Sequence, residues 1–138
     1  MASAHGVNFV KDLIISGTST GLYDINGDPL ASANIVGTDN YAYSKAVELS
    51  PKSIEHILYA ICEDCTLDVL LQMSPDGKNW IDCKLSGGGD CKFTCTGTVG
   101  DCTTQVIDTS LLSTVRVRIG NAGSGGGKCT IGLNFTLN

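Results

Sequence analysis

Alternation of apolar and polar residues is the feature that most constrains how this chain folds. Residues 129–137 run Cys-Thr-Ile-Gly-Leu-Asn-Phe-Thr-Leu, with the large apolar side chains at every second position. Residues 113–119, 67–73 and 57–61 alternate in a similar way. A period of two is typical of a β-strand with one buried face. No segment keeps a helical period, so the chain is predicted to consist of strands.

The phase of each alternation predicts which side chains face the core. Arg116, Arg118 and His56 fall on the opposite phase and are expected to face solvent. Weaker strands are expected at 9–16, 45–49, 80–84 and 104–108. The predicted inward residues are Ile57, Tyr59 and Ile61; Leu67, Val69, Leu71 and Met73; Val115, Val117 and Ile119; and Cys129, Ile131, Leu133, Phe135 and Leu137.

Turn signals separate these segments. In the stretch after Met73, Pro75 suits the second position of a type I turn, Asp76 tolerates the next one, and Gly77 supplies a left-handed residue. Trp80 follows at once and is expected to return over the sheet. Asn26-Gly27 is a second strong turn. Short strands with regular turns predict an all-β fold, a single antiparallel β-sandwich of jelly-roll-like form.

The 138 residues fit one domain. Residues 1–40 are predicted to form an N-terminal extended arm and a hairpin, and residues 41–138 the sandwich. Because 1–40 is apolar yet rich in turns, we expect the arm to pair with the sheet edge of a neighbouring subunit. Residues 84–103, rich in Gly, Thr and Cys, are predicted to be a Cys/Gly-rich excursion, an insert that leaves the sandwich.

Charge and hydropathy narrow the range of partners. The net charge is −5 and no cluster of lysine and arginine is visible, so no nucleic-acid partner is expected. The apolar runs are far shorter than the roughly 20 residues that span a bilayer, so no membrane partner is expected either. The N-terminus does not resemble a signal peptide.

Seven cysteines lie in the second half of the chain, which is unusual for a reducing compartment. Structural disulfides, buried free thiols and a metal site are all open, with disulfides favoured. The CxxC of Cys62 and Cys65 is predicted to join two strands, which does not suit a redox helix. We hypothesise that the four cysteines around the excursion pair among themselves and that the odd count leaves one thiol over. The candidates are Cys62, Cys65, Cys83, Cys91, Cys95, Cys102 and Cys129.

Catalytic signals are weak, and neither an enzyme activity nor a cofactor is expected. His5 falls in the predicted arm, and no serine or cysteine has a nucleophile motif. Residues 122–129 imitate a phosphate loop but lead into a strand, where that motif needs a helix. Residues 24–28 imitate a calcium loop, but Pro29 stands where its glycine belongs. No catalytic or metal-binding residue is therefore assigned.

Two motifs together resemble a family of small β-sandwich virion proteins of tailed phages. One is the Leu-Gln-Met-Ser-Pro-Asp-Gly-Lys-Asn-Trp run of 71–80, and the other is Val-Arg-Val-Arg-Ile-Gly-Asn-Ala-Gly at 115–123, followed by the last alternating strand. The turn alone also resembles discoidin-type sandwiches, which lack the second motif. The cysteines depart from the phage group.

This resemblance implies a structural, self-assembling subunit located in a virion, either decorating a capsid or associated with a tail. Its expected partners are further copies of itself and a capsid or tail protein. Two alternatives stay open, an extracellular filament subunit linked through the odd cysteine and a carbohydrate-binding module with exposed aromatic residues.

Overall fold

The computed structural model describes residues 3–85, 88–102 and 113–138, which form β-strands and connecting loops. No helix long and apolar enough to cross a membrane occurs in these residues. The all-β, antiparallel fold is therefore confirmed. The strands are β1 (Ser3–Ile14), β2 (Tyr41–Tyr43), β3 (Val47–Glu48), β4 (Ser53–Ser74), β5 (Ile81–Asp82), β6 (Lys92–Cys102), β7 (Thr114–Gly120) and β8 (Lys128–Leu137).

The 22-residue strand β4 organises the whole sheet. Its first half, from Ser53 to Glu63, pairs with β8, which in turn pairs with β1. Its second half, from Asp68 to Ser74, pairs with β7, which in turn pairs with β2 and β3. We call these groups the β8 half-sheet and the β7 half-sheet. Apolar side chains of both lie in one core, so the curled sheet is a jelly-roll-like sandwich.

Two irregularities in β4 decide which of its residues face the core. The pairing shifts register between Ile54 and Ile57 and again between Ile61 and Cys65. Glu55 and Asp64, which lie in these shifts, have φ angles of 56° each. Each inserted residue exchanges the inward and outward phases of the strand.

The predicted inward row 57, 59 and 61 is therefore wrong. Ile57 and Ile61 are 42% and 44% exposed, and Tyr59 is half-buried on the outer face. The neighbouring positions His56, Leu58, Ala60 and Cys62 face the core and are fully buried. The expectation that His56 faces solvent is thus also wrong, because the bulge at Glu55 turns it inward.

The other alternating segments face as predicted. The inward rows of β7, β8 and the second half of β4 are buried, apart from Leu137, which packs against the core half-buried. Cys62 and Cys65 belong to one continuous strand with a bulge between them, and do not join two separate strands as we had expected.

Residues 3–40 provide the first strand and a cover for the core. β1 pairs with β8 of the same chain, so the expectation that the arm pairs with a neighbouring subunit is wrong for this strand. His5, which belongs to the predicted arm, lies opposite Phe135. Beyond β1, Ile15, Leu22 and Ile35 are fully buried. The expected hairpin turn is present at Gly27, with a φ of 87°, and Asp24 Oδ1 accepts backbone hydrogen bonds at 2.9 Å within it.

In the predicted insert, the structure describes residues 84–85 and 88–102, and most of these form β6, a strand of the sheet. This part of the insert therefore does not leave the sandwich as expected. β6 runs antiparallel to β4 from Leu70 back to Leu58, alongside both half-sheets. The short loop before β6 is closed by an ion pair between Lys84 and Asp90. The weaker strands expected at 9–16, 45–49 and 80–84 correspond in part to β1, β3 and β5, while 104–108 lies outside the described residues.

Candidate functional site on the outer face of the β7 half-sheet

The outer face of the β7 half-sheet collects polar and aromatic side chains from three adjacent strands. In the register, Leu70 of β4 lies opposite Arg118 of β7, which lies opposite Tyr43 of β2. Because side chains of one face recur at every second residue, Asp68, Arg116 and Tyr41 lie on the same face. The two arginines of β7, which alternate with buried valines, therefore lie beside the two tyrosines of β2, which alternate with Ala42.

Arg116 contacts two aromatic rings. Its guanidinium carbon is 4.2 Å from the centre of the Tyr43 ring and 4.2 Å from that of Trp80. Nε donates to Gln72 Oε1 at 3.0 Å and Nη1 to the carbonyl of Ile25 at 2.9 Å. Arg116 points away from the core, as predicted, but Trp80 and the 24–28 turn cover it, so that it is only 2% exposed. The expectation that it is accessible to solvent is therefore wrong. This burial lowers the pKa of the guanidinium through desolvation.

The Pro75-Asp76-Gly77 turn places Trp80 for this contact. Gly77 has a φ of 76°, the left-handed geometry expected of it. Asp76 Oδ1 accepts from the backbone nitrogens of Asn79 and Lys78, both at 2.8 Å, and Ser74 Oγ donates to it at 3.0 Å. Hydrogen bonds from Asn79, then Lys78, hold the pKa of Asp76 well below its usual range. The turn is therefore a rigid support for Trp80.

Beside this stack lies an open cleft of about 300 Å³. Arg118 stacks on Tyr41, with 4.2 Å between the guanidinium carbon and the ring centre. Asp68 accepts from Thr94 Oγ1 at 2.7 Å and from Asn121 Nδ2 at 2.9 Å. The residues that line the cleft are Tyr41, Asp68, Val69, Leu70, Lys92, Phe93, Thr94 and Arg118.

The opposite surface, on the β8 half-sheet, carries an apolar stripe formed by Ile57, Tyr59 and Ile61. The Tyr59 ring lies across Gly132 of β8, and its hydroxyl donates to Asn8 Oδ1 of β1 at 3.0 Å. At one end of the stripe, Lys128 Nζ lies 3.3 Å from Glu63 Oε2 and 3.8 Å from Asp12 Oδ1. The stripe thus combines apolar bulk with a charged rim.

The structure contains a disulfide between Cys62 of β4 and Cys95 of β6. The hypothesis that Cys95 pairs with another cysteine around the excursion is therefore wrong, because β6 returns along β4 and brings it to Cys62. Cys91 is buried, and the side chain of Cys102 lies outside the described residues.

Cys65, Cys83 and Cys129 are buried thiols in the structure. Burial raises the pKa of Cys65, and it raises the pKa of Cys83 and of Cys129 to about 12 each. A thiol that stays protonated is a poor nucleophile and a poor metal ligand. Within the described ranges, no three His, Cys, Asp or Glu side chains are grouped to hold a metal ion.

The sequence predictions identified Trp80 and its turn but missed the cleft. The sequence assigns no role to Tyr41, Asp68 and Lys92 and predicts only a solvent-facing position for Arg118, because these residues come from four strands whose pairing the sequence does not reveal. A local pattern in the sequence could have indicated part of the site. Tyr-Ala-Tyr and Val-Arg-Val-Arg-Ile both alternate with a period of two, and aromatic and arginine side chains on paired strands commonly stack.

No known protein family and no curated protein sequence matches the chain. Among solved structures, it is similar to the "infectious bursal disease virus VP2 subviral particle", with a TM-score of 0.53, 11% identity, 99% of this chain covered and 33% of that one. The "infectious bursal disease virus Gx strain" gives a TM-score of 0.54 at 11% identity, covering 99% of this chain and 32% of that one.

A third structure is the "CBM36-1 domain of a multidomain xylanase from the hindgut metagenome of Trinervitermes trinervoides", with a TM-score of 0.32, 11% identity and coverage of 99% and 98%. The chain spans about a third of the length of the two viral chains. At this identity, the likeness to the viral chains shows a shared β-sandwich fold.

Proposed function

We propose that this protein is a structural, self-associating subunit of a virion, which decorates a capsid or belongs to a tail and catalyses no reaction. The observation that carries the proposal is the apolar stripe on the β8 half-sheet. Two large aliphatic side chains of one strand, Ile57 and Ile61, are each more than 40% exposed with an aromatic ring between them.

A strand face of this kind is costly to leave in water. Complete burial of an Ile side chain contributes about 1.5–3 kcal/mol, so covering the 42% and 44% of Ile57 and Ile61 that is exposed supplies roughly 1–3 kcal/mol per subunit to an association. Apolar patches with a polar rim are typical of protein interfaces. The rim here holds both signs of charge, in Lys128, Glu63 and Asp12, which suits a self-complementary contact with a second copy.

The fold supports the virion part of the proposal. The solved chains that resemble this one belong to a virus and to its subviral particle, and they share its sandwich across nearly all of its length. The narrower assignment to tailed phages, as decoration or tail protein, rests on the sequence resemblance of 71–80 and 115–123.

The filament alternative receives no support from the described cysteines. It requires an accessible thiol for a bond between subunits, whereas Cys65, Cys83 and Cys129 are buried. The described part of the chain therefore favours association through the stripe.

The oligomeric state tests the proposal. Light scattering after size-exclusion chromatography is expected to show an oligomer for the wild type and a monomer for the Ile57→Glu, Ile61→Glu double variant. The matched control is the Ile25→Glu, Ile81→Glu double variant, which alters two isoleucines outside the stripe that are more exposed, at 61% and 50%, and should stay oligomeric. A monomeric wild type, or equal dissociation of both double variants, contradicts the proposal.

Electron microscopy tests the virion assignment separately. Purified wild-type protein is expected to form rings, shells or tubes, and the stripe variant is expected to form none. Amorphous or single particles for the wild type would count against a virion role even if the stripe supports dimerisation.

A further inference from the structure

We propose that the cleft bounded by Arg118, Tyr41, Asp68 and Lys92 is a binding site for an acidic sugar, with the carboxylate held by the two cations and the hydroxyl groups by Asp68. Nothing in this proposal depends on self-association, because the cleft lies on the β7 half-sheet and the apolar stripe on the β8 half-sheet.

Arg118 is positioned for a ligand. Its guanidinium is fixed by stacking on Tyr41, and its Nε is buried without a hydrogen-bond partner in the described part of the chain. A buried donor without a partner costs free energy. The neighbouring Arg116, in contrast, donates two hydrogen bonds within the protein. Arginine binds carboxylates through two parallel N–H bonds, and the two terminal nitrogens of Arg118, which donate no hydrogen bond within the described part of the chain, can meet a carboxylate that enters the cleft.

Asp68 supplies the opposite chemistry. Each of its two oxygens already accepts one hydrogen bond, from Thr94 and from Asn121, which fixes the carboxylate in place. A carboxylate has about four acceptor positions, so each oxygen can accept once more, from a hydroxyl group of the ligand. Asp68 also repels a simple anion, which means that the site favours a ligand bearing hydroxyl donors as well as a negative charge.

Lys92 completes the charge pattern. It lines the same cleft from β6 and is exposed, so it adds a second cation. A neutral sugar would use Asp68 but leave both cations without a partner. A sugar carboxylate uses all three groups. The volume of about 300 Å³ lies at the lower end of small-molecule sites, which fits one or two sugar rings.

The test is an NMR titration of ¹⁵N-labelled protein with glucuronic, galacturonic and N-acetylneuraminic acids. At least one of the three is expected to shift the amide signals of Arg118, Asp68 and Thr94 at about millimolar concentration, the range of single weak sites. Galactose and acetate are the matched probes, because each carries only half of the required chemistry, and both are expected to bind at least about tenfold more weakly.

Variants separate the two cations from general charge effects. Arg118→Gln and Lys92→Gln are each expected to weaken binding about tenfold, the value of one charge-assisted hydrogen bond. Lys92 is exposed, so its variant should fold even if that of Arg118 does not. Lys11→Gln removes the same charge from β1 and should bind like the wild type.

Three outcomes overturn the proposal. The first is that none of the three acids shifts these signals. The second is that acetate or galactose binds as well as the acids, which would indicate a plain anion site or a neutral glycan site. The third is that Lys92→Gln and Lys11→Gln weaken binding equally, or that neither weakens it.

Discussion

The guanidinium of Arg116 lies against the ring of Trp80, with 4.2 Å between the guanidinium carbon and the ring centre, although 35 residues of the chain intervene between them. The contact connects the tryptophan of the 74–80 turn to the middle of β7. Together with the Tyr43 ring, whose centre is also 4.2 Å from the guanidinium carbon, it covers a charge that is 2% exposed. The turn and β7, the two motifs behind the phage resemblance, are thus parts of one packed unit.

Removal of this arginine is expected to be strongly destabilising. Arg116→Ala loses two cation–aromatic contacts and leaves Gln72 and the carbonyl of Ile25 without their donor, at a cost of about 2–4 kcal/mol in the free energy of unfolding. Arg116→Lys keeps the charge but cannot reproduce both hydrogen bonds, so its loss should be intermediate.

Urea denaturation followed by circular dichroism measures these losses. Lys45→Ala, an exposed cation in the loop between β2 and β3, is the control and should change stability by less than about 0.5 kcal/mol. If Arg116→Ala behaves like this control, the stack is not a stabilising feature of the fold.

Gly132 is expected to tolerate no side chain while Tyr59 is present. A Cβ atom on Gly132 would lie 2.7 Å from Cε1 of Tyr59, so Gly132→Ala must displace the ring and its hydrogen bond to Asn8. We expect a loss of about 1–3 kcal/mol, as for other overpacked sites.

A double-mutant cycle distinguishes this clash from a general intolerance of β8. In a Tyr59→Ala background, Gly132→Ala should cost almost nothing, which gives a coupling energy of at least about 1 kcal/mol. Gly123→Ala is the control, because a Cβ atom there meets no atom within 4 Å. Additive losses for Gly132→Ala and Tyr59→Ala would contradict the predicted contact.

The disulfide between Cys62 and Cys95 is expected to contribute substantially to stability. It closes a loop with a sequence separation of 33 residues, and restriction of the unfolded chain by such a loop is worth about 3–4 kcal/mol. Reduction of the wild-type protein and the Cys62→Ala, Cys95→Ala double variant should each lower the free energy of unfolding by an amount of this order.

The double variant is also the control for the reductant, which should have no further effect on it. Peptide mapping without reduction should recover residues 62 and 95 in one cross-linked species. Recovery of both as free thiols from protein isolated under oxidising conditions would show that the bridge is absent.

The sequence allowed correct predictions where one phase of a strand is clearly more apolar than the other. In β7 and β8 and in the second half of β4, bulky aliphatic residues occupy a single phase, and the predicted inward rows are correct. In the first half of β4 both phases are apolar: Leu58 and Ala60 compete with Ile57 and Ile61. The bulges at Glu55 and Asp64 decide between them, and no residue type marks a bulge strongly enough to be recognised.

Long-range pairing accounts for the remaining errors. The partner of Cys95 cannot be deduced from spacing, because seven cysteines allow many connectivities. The burial of Arg116 depends on Trp80, which reaches it from the turn before β5, and on Tyr43 of β2. The cleft around Arg118 was missed for the same reason, since its lining comes from β2, β4, β6 and β7.

His56 is expected to make stability depend on pH in the weakly acidic range. The ring is fully buried beside Phe135, its Nε2 lies 2.9 Å from Ser53 Oγ, and desolvation lowers its pKa below the ordinary value of 6.5. In the unfolded chain His56 protonates as the pH falls through 6.5, while in the folded protein, where its pKa is lowered, it protonates only at a lower pH. The unfolded chain therefore binds a proton more readily than the folded protein. The free energy of unfolding is highest above pH 6.5 and decreases as the pH falls below 6.5.

Chemical denaturation at a series of pH values between about 7 and 5, the range in which histidine titrates, measures this effect. The free energy of unfolding should fall with pH in the wild type and fall less steeply in His56→Leu, which has no titrating group at this position. His5→Gln is the matched control, because His5 is exposed on β1, and it should keep the wild-type slope. Equal slopes for the wild type and His56→Leu would show that burial of His56 does not couple folding to pH.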